Sequence, residues 1–347
     1  MDEETTLLTT RGVPASAPLT PSWEELEELL ERVSRTFALS NRQLPAPLRR
    51  EMTVAYLLFR VSDYLEDNEV MEADEKARLL LEWEQVLRGR AAEDELYREL
   101  ECLQDGDPEA EPAKRFPKLL RALERLGGEE ARAIRRRVCE TTAGMARRQQ
   151  VGVDFETESE LDEYMHDVAG LVGYLITELY ALFDRRLARR KPRMMPLGRE
   201  YGLGLQTVNI IRGLRKDWQT GRRFIPKQYL RETELRDREL LSREHLDRSM
   251  PIVDRLAAKA ERHLRGGLSY VLLIPRGLYR IRTAAAWPLL FAARTLAVSR
   301  GNPQVVLSEA KIRRSEVKRI VRRSAMIAWS DRRLSGYYET LLRGEQG

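Results

Sequence analysis

Apolar residues recur at helical spacing along most of this chain, and few stretches alternate with period two. Leu26, Leu29, Leu30, Val33 and Phe37 form a first stripe, opened by Ser22 with Glu25 three residues on, the layout of a capping box. Leu44-Pro45-Ala46-Pro47 interrupts it, and a second helix is predicted to run to about Asp67. An acidic loop over residues 68–74 precedes an amphipathic run through Leu79, Leu80, Trp83 and Leu87. The pattern continues over residues 119–126, 131–150, 158–183, 199–218, 232–265, 274–298 and 308–343, with a loop at 221–226. Val/Ile/Thr-rich strands bounded by turns are absent from the pattern. The expectation is an all-α fold in a single domain over residues 22–343, behind a flexible Thr/Pro/Ala-rich leader over residues 1–21.

Two of these helices carry charge where apolar residues are expected. Tyr56, Arg60, Asp63 and Asp67 recur at i, i+4, i+7 and i+11, one face of a helix otherwise made of residues such as Val54, Leu57, Leu58 and Val61. A carboxylate buried there costs several kcal/mol unless a cation or hydrogen-bond donor meets it. Two carboxylates one turn apart suit Mg²⁺, which keeps several waters and is held by one or two carboxylates plus substrate phosphates. A salt-bridged surface stripe is the plainer reading of the same spacing. On the later helix Gln206, Asn209, Gly213 and Asp217 share a face, with Arg212 beside it to hold phosphate oxygens. Ser34-Arg35 and Lys311-Ile312-Arg313 add polar groups at helix ends. Together these residues are equipment for binding a diphosphate through metal ions. Val168, Ala169, Leu171, Val172, Leu175, Leu203 and Leu205 supply an apolar tunnel. Gly170 and Gly173 each cost a helix about 1 kcal/mol against Ala, so close packing or room for a ligand explains them.

Composition narrows the partners. With 347 residues, 33% of them charged, and a net charge of +5, the chain favours anionic ligands. It contains no signature of a nucleic-acid-binding motif. Cys102 and Cys139 lie outside any disulfide or zinc pattern, so a reducing compartment is the default. No apolar run has the roughly 18 residues of a membrane span. A cytoplasmic protein is expected, and the basic run from Arg185 to Arg199 is a candidate for peripheral contact with an anionic membrane, as well as a plain solvated helix end and loop. His166 reads as a hydrogen-bonded structural residue or a proton relay. Arg135–Arg137 and Arg147–Arg148 read as solvated charge, and Trp83, Trp218 and Trp287 as core.

Several segments, in order, resemble the squalene/phytoene synthase family and lie closest to bacterial squalene synthase: Ser34-Arg-Thr-Phe-Ala-Leu39, Tyr56-Leu-Leu-Phe-Arg-Val-Ser-Asp-Tyr-Leu-Glu-Asp67, Tyr164-Met-His-Asp-Val-Ala-Gly-Leu-Val-Gly173, Gly204-Leu-Gln-Thr-Val-Asn-Ile-Ile-Arg212, Gly221-Arg-Arg-Phe-Ile-Pro226 and Lys311-Ile-Arg313. The resemblance spans about residues 34–319 and implies the all-α isoprenoid synthase fold. It implies Mg²⁺-dependent head-to-head joining of two prenyl diphosphates. Farnesyl diphosphate would pass through presqualene diphosphate to squalene, with hydride from NADPH. A phytoene or dehydrosqualene synthase would instead lose a proton and need no reductant. Carried over to this sequence, Asp63, Asp67, Asn209 and Asp217 would hold Mg²⁺. Arg35, Arg212, Lys311 and Arg313 would clamp diphosphate, Ser34, Arg60, Gln206 and Lys216 would contact substrate, and Tyr56 and Tyr164 would line the reacting centre. The family's second motif usually reads Asn-x-x-Arg-Asp-x-x-Glu-Asp. Here its first Asp is Gly213 and its Glu is Lys216. That departure predicts a site in which Lys216 or Arg215 replaces part of the metal's charge. It also admits a weakened enzyme, one completing a single half-reaction, or a non-catalytic relative that binds lipid or a partner.

Overall fold

The computed structural model describes residues 20–102, 109–152 and 154–345. The leader expected over residues 1–21 lies, apart from its last two residues, outside them. The described residues fold as an all-α bundle without a β-sheet. In chain order the helices are α1 (Trp23–Val33), α2 (Arg35–Asn41), α3 (Ala46–Asp67), α4 (Ala73–Leu87), α5 (Glu93–Glu101) and α6 (Glu111–Lys114). There follow α7 (Phe116–Leu126), α8 (Gly128–Val151), α9 (Glu158–Met165), α10 (Leu171–Phe183), α11 (Arg185–Ala188) and α12 (Lys191–Gln219). The last are α13 (Lys227–Glu232), α14 (Leu246–Leu273), α15 (Tyr279–Ser299), α16 (Gln304–Leu307), α17 (Arg314–Ile327) and α18 (Asp331–Leu342).

The centre of the bundle is α12, which packs on α10, α14 and α15, while α3 packs on α8 and α7. Glycine brings α10 and α12 together backbone to backbone. A Cβ on Gly173 would lie 2.0 Å from the Gly198 carbonyl oxygen, and one on Gly202 would lie 2.2 Å from that of Ala169. Close packing is therefore the reason for Gly173. Trp83 and Trp287 are buried as expected, and each indole N–H donates to a buried hydroxyl: Ser62 at 3.1 Å and Ser324 at 2.9 Å.

Local chemistry overrides the periodic pattern in several places. The first stripe is two helices, because Ser34 is extended and its hydroxyl accepts from Phe37 N–H at 3.4 Å, capping α2. The long run over 158–183 contains a π-helical segment, His166–Gly170, where a Thr141 hydroxyl from α8 donates to the Asp167 carbonyl at 2.8 Å. The run expected over 232–265 begins only at Leu246. Residues 233–245 are turns and two 3₁₀ segments, helped by Ser242 accepting from Glu244 N–H at 3.2 Å. Much of the basic run over 185–199 is helical, in α11 and the start of α12. Arg136 and Arg137 are not simply solvated: they hold the buried Glu178 at 2.9 and 2.8 Å. Arg148 is likewise held, over the ring of Phe155 at 4.0 Å.

Candidate active site

The last three turns of α3 present a charged face into the bundle. Arg60 pairs with Asp63 at 2.9 Å and with Glu109 at 3.0 Å. Tyr56, one turn earlier, stacks on Phe37 with ring centroids 4.2 Å apart, and its hydroxyl hydrogen-bonds to Ser34. Glu66, buried beside them, accepts a hydrogen bond from the Tyr164 hydroxyl at 3.2 Å. Opposite stands α12 with Gln206, Asn209, Arg212, Lys216 and Asp217. The Arg222 guanidinium, from the loop after α12, lies between the helices. It donates to Asp67 and, at 2.6 Å, to Asp217.

Negative charge is crowded here. Burial, with repulsion from Asp67, raises the Asp63 carboxyl to about 6 despite the attraction of Arg60. Burial and then the neighbouring Asp67 and Asp63 push Glu66 well up, and burial raises Asp217 against the pull of Arg222. Burial opposes the charge of Arg222, but Asp67 and Asp217 outweigh it and raise its pKa. The Tyr164 phenol is also pushed well up, first by burial and then by Glu66, so it stays protonated.

These groups line a polar cleft of about 610 Å³, bounded by Arg60, Asp63, Asp67, Tyr164, Gln206, Asn209, Arg212, Lys216, Asp217 and Lys311 among others. An apolar cavity of about 370 Å³ adjoins it, walled by Phe37, Tyr56, Val168, Ala169, Val172, Ile176, Leu205 and, further along, Tyr180 and Tyr270. Val168, Gln206 and Asn209 border both chambers. A charged head and an apolar tail can therefore occupy one continuous site.

A divalent cation fits this donor set. Among the described residues no three His, Cys, Asp or Glu side chains gather closely enough to hold an ion alone. The arrangement instead matches an ion that takes most of its oxygens from water and diphosphate. Asp63, Asp67, Asn209 and Asp217 all face the cleft, and a guanidinium already occupies the cationic position between two of them.

Some expected residues stand elsewhere. Arg35 is exposed at the start of α2 and borders neither chamber, and Ser34 reaches the site only through Tyr56. Arg313 lines a neighbouring cleft with Arg294, Arg319 and Lys311, and only Lys311 also borders the main one. Leu171, Leu175 and Leu203 are core rather than tunnel wall, since residues 168, 169, 172, 173 and 176 take the cavity-facing side. His166 accepts from Arg199 at 3.3 Å and meets Tyr174 edge-on, a structural role. Glu66, Arg215 and Arg222 also line the cleft. Glu66 sits inside a matching segment three residues after Asp63, a spacing that shares its helical face and could have revealed it, whereas Arg222 lies in a loop, where periodicity gives no signal.

The squalene/phytoene synthase profile matches residues 30–319. The chain belongs to the squalene/phytoene synthase family. Squalene synthase 1 of Arabidopsis thaliana is 28% identical over 319 residues, covering 90% of this chain and 73% of its own. Lycopaoctaene synthase of Botryococcus braunii is 27% identical over 307 residues, 86% of this chain and 66% of its own. Among solved structures, TcSQS with the ligand BPH1237 superposes with a TM-score of 0.78 at 24% identity, covering 94% of this chain and 92% of that one. A dehydrosqualene synthase in complex with ligand gives 0.64 at 18%, covering 92% and 96%. The expected isoprenoid synthase fold is thus the fold of this family member, and the family acts on prenyl diphosphates.

Proposed function

We propose that this family member joins two farnesyl diphosphates head to head, through presqualene diphosphate, to squalene. The observation that carries this reading is the shared border of Val168, Gln206 and Asn209 between a charged cleft and an apolar cavity. Diphosphates would sit in the first and prenyl chains in the second. The donor's C1–O bond breaks and pyrophosphate leaves with the electron pair. The acceptor's double bond attacks the allylic cation, and a proton lost from the adduct closes the cyclopropane. Arg60, Arg212, Lys216 and Lys311 hold the oxygens of the two substrates' diphosphates. No lone general base is assigned, because departing pyrophosphate can take the proton. The stacked Phe37 and Tyr56 rings offer π-faces to the cation, and the apolar walls exclude water. Tyr164 and Gln206 position the reacting ends.

Mg²⁺, when bound, would be held by Asp63 and Asp67, with Asn209 and Asp217 facing it across the cleft, and would neutralise charge on the leaving diphosphate. Presqualene diphosphate would then lose its own pyrophosphate with the C–O electron pair, and the resulting cyclopropyl cation would rearrange; NADPH, when bound, would supply the hydride that quenches it. The NADPH phosphates would meet Arg313 in the cleft it shares with Arg294, Lys311 and Arg319, where Arg294 is paired with Glu316 and Lys311 with Glu309. No helix of the described residues is long and apolar enough to cross a membrane. Leu182 and Phe183 are exposed beside Arg185, Arg186, Arg189 and Arg190, a surface suited to peripheral contact with anionic lipid. The deciding experiment incubates purified protein with farnesyl or geranylgeranyl diphosphate and Mg²⁺, with and without NADPH, and weighs the products. Squalene made only with NADPH supports the proposal. A C40 product alone, or dehydrosqualene irrespective of reductant, replaces it with another family activity. Product from neither substrate leaves the binding-protein reading.

A further inference from the structure

The two walls of the polar cleft carry opposite charge. From α3 it receives Asp63, Glu66 and Asp67 against Arg60 alone, and from α12 it receives Arg212, Arg215 and Lys216 against Asp217 alone. Arg222 answers both Asp217, at 2.6 Å, and Asp67 of the facing wall. The Asp217 carboxylate also folds back over Gly213: a Cβ there would lie 2.7 Å from Asp217 Oδ2. The side chain that Gly213 lacks leaves the space in which Asp217 meets Arg222. Arg215 is tethered beside the cleft by its bond to the Val306 carbonyl at 3.2 Å. Arg212 and Lys216 are exposed and make no ion pair among the described residues. An unpaired guanidinium and ammonium one turn apart on a helix form a ready seat for a polyanion. A divalent cation has little to bind on such a wall and is repelled by it.

We infer that the two diphosphate sites differ in kind: the α12 wall binds one diphosphate directly through Arg212, Arg215 and Lys216 without a metal ion, and the α3 wall binds the other through Mg²⁺. This rests on the reading above that the cleft takes diphosphates, and it adds an order to the reaction. A diphosphate whose charge Mg²⁺ would neutralise is the better leaving group, so the substrate on the α3 wall would be the donor that ionises first. The substrate on the α12 wall is the acceptor, which keeps its diphosphate through the first half-reaction.

The test uses inorganic pyrophosphate, which carries no prenyl chain, titrated calorimetrically into the full-length protein. In EDTA one equivalent is expected to bind, and a second only when Mg²⁺ is added. Lys216→Glu should weaken the metal-free equivalent about tenfold or more while sparing the Mg²⁺-dependent one. Asp63→Asn should do the reverse. Lys216 is exposed, so the fold is expected to survive, and an unchanged melting temperature checks it. Gly213→Asp combined with Lys216→Glu should make both equivalents depend on Mg²⁺. Absence of pyrophosphate binding in EDTA overturns the inference. So does metal-free binding that Lys216→Glu leaves intact, which would assign the anion to another basic surface such as that of Arg313 and Arg319. Because the titration is independent of turnover, it can fail while squalene is still made, and succeed when another product is.

Discussion

Arg222 bridges Asp67 of α3 and Asp217 of α12, so a single guanidinium joins the two charged helices across the mouth of the cleft. Its positive charge answers both carboxylates, as a bound cation would. Replacing Arg222 with Ala removes this internal counter-ion. Affinity for Mn²⁺ in the absence of diphosphate is expected to rise several-fold, read by electron paramagnetic resonance, while turnover falls about a hundredfold. Weaker Mn²⁺ binding in the variant would show that Arg222 supports the metal site rather than competing with it.

Under the proposed function, Asp63 should make metal binding pH-dependent. Its carboxyl titrates at about 6 in the folded protein, so the ionised form that a cation needs is lost as pH falls through that value. Mg²⁺ affinity should fall as pH drops from 7 to 5, with protons released on binding near pH 6. Calorimetry in two buffers of different ionisation enthalpy measures that release. Asp63→Ala should lower turnover by about a thousandfold or more, with the fold retained by circular dichroism.

Glu51, on the opposite side of α3 from the cleft, sets a stability trend instead. Burial and then repulsion from Glu130 raise it from 4.5 to about 7. A raised carboxyl favours the protonated folded state, so its penalty is absent below about pH 4.5, grows as pH rises, and is complete above 7. Glu51→Gln should therefore stabilise the protein by about 1–3 kcal/mol at pH 8. The gain should shrink towards zero near pH 4.5. Denaturant unfolding at both pH values decides it, and an equal gain at both would point to packing rather than charge.

Gly173 is where the bundle is least tolerant. With the Gly198 carbonyl 2.0 Å from its would-be Cβ, Gly173→Ala forces α10 and α12 apart. A loss of about 3 kcal/mol or more in unfolding free energy is expected. Gly221→Ala, in open space but at φ 87°, should cost less, through backbone strain alone.

Leu182 and Phe183 give a test of membrane contact. Substituting both with Ser should reduce co-sedimentation with vesicles containing phosphatidylserine several-fold and leave the melting temperature within a few degrees, because both side chains are exposed. Equal sedimentation of the two proteins would remove the membrane from the account.

The legible part of this chain was whatever a helical face can encode. Tyr56, Arg60, Asp63 and Asp67 were found because burial and charge share one stripe, and Gln206, Asn209 and Asp217 for the same reason. Breaks dictated by a single hydroxyl or by tertiary partners were not legible. Ser34 splits the first helix through one cap, and the π-helical segment at His166–Gly170 meets a donor from α8, remote in sequence. Arg222 escaped for a further reason. It lies in a loop, where periodicity is silent, and its role depends on Asp67, distant in sequence. Leu171 and Leu203 were placed in the cavity because apolar character does not say which side of a helix faces a void.

The border of Val168, Gln206 and Asn209 has a consequence for selectivity. Under the proposed function, heads and tails are both measured from Gln206 and Asn209 on one turn of α12, so a substrate five carbons longer would gain nothing at the charged end. Its extra length must be found at the far wall, by Tyr180 and Tyr270, which makes chain length adjustable there without disturbing how the diphosphate is gripped.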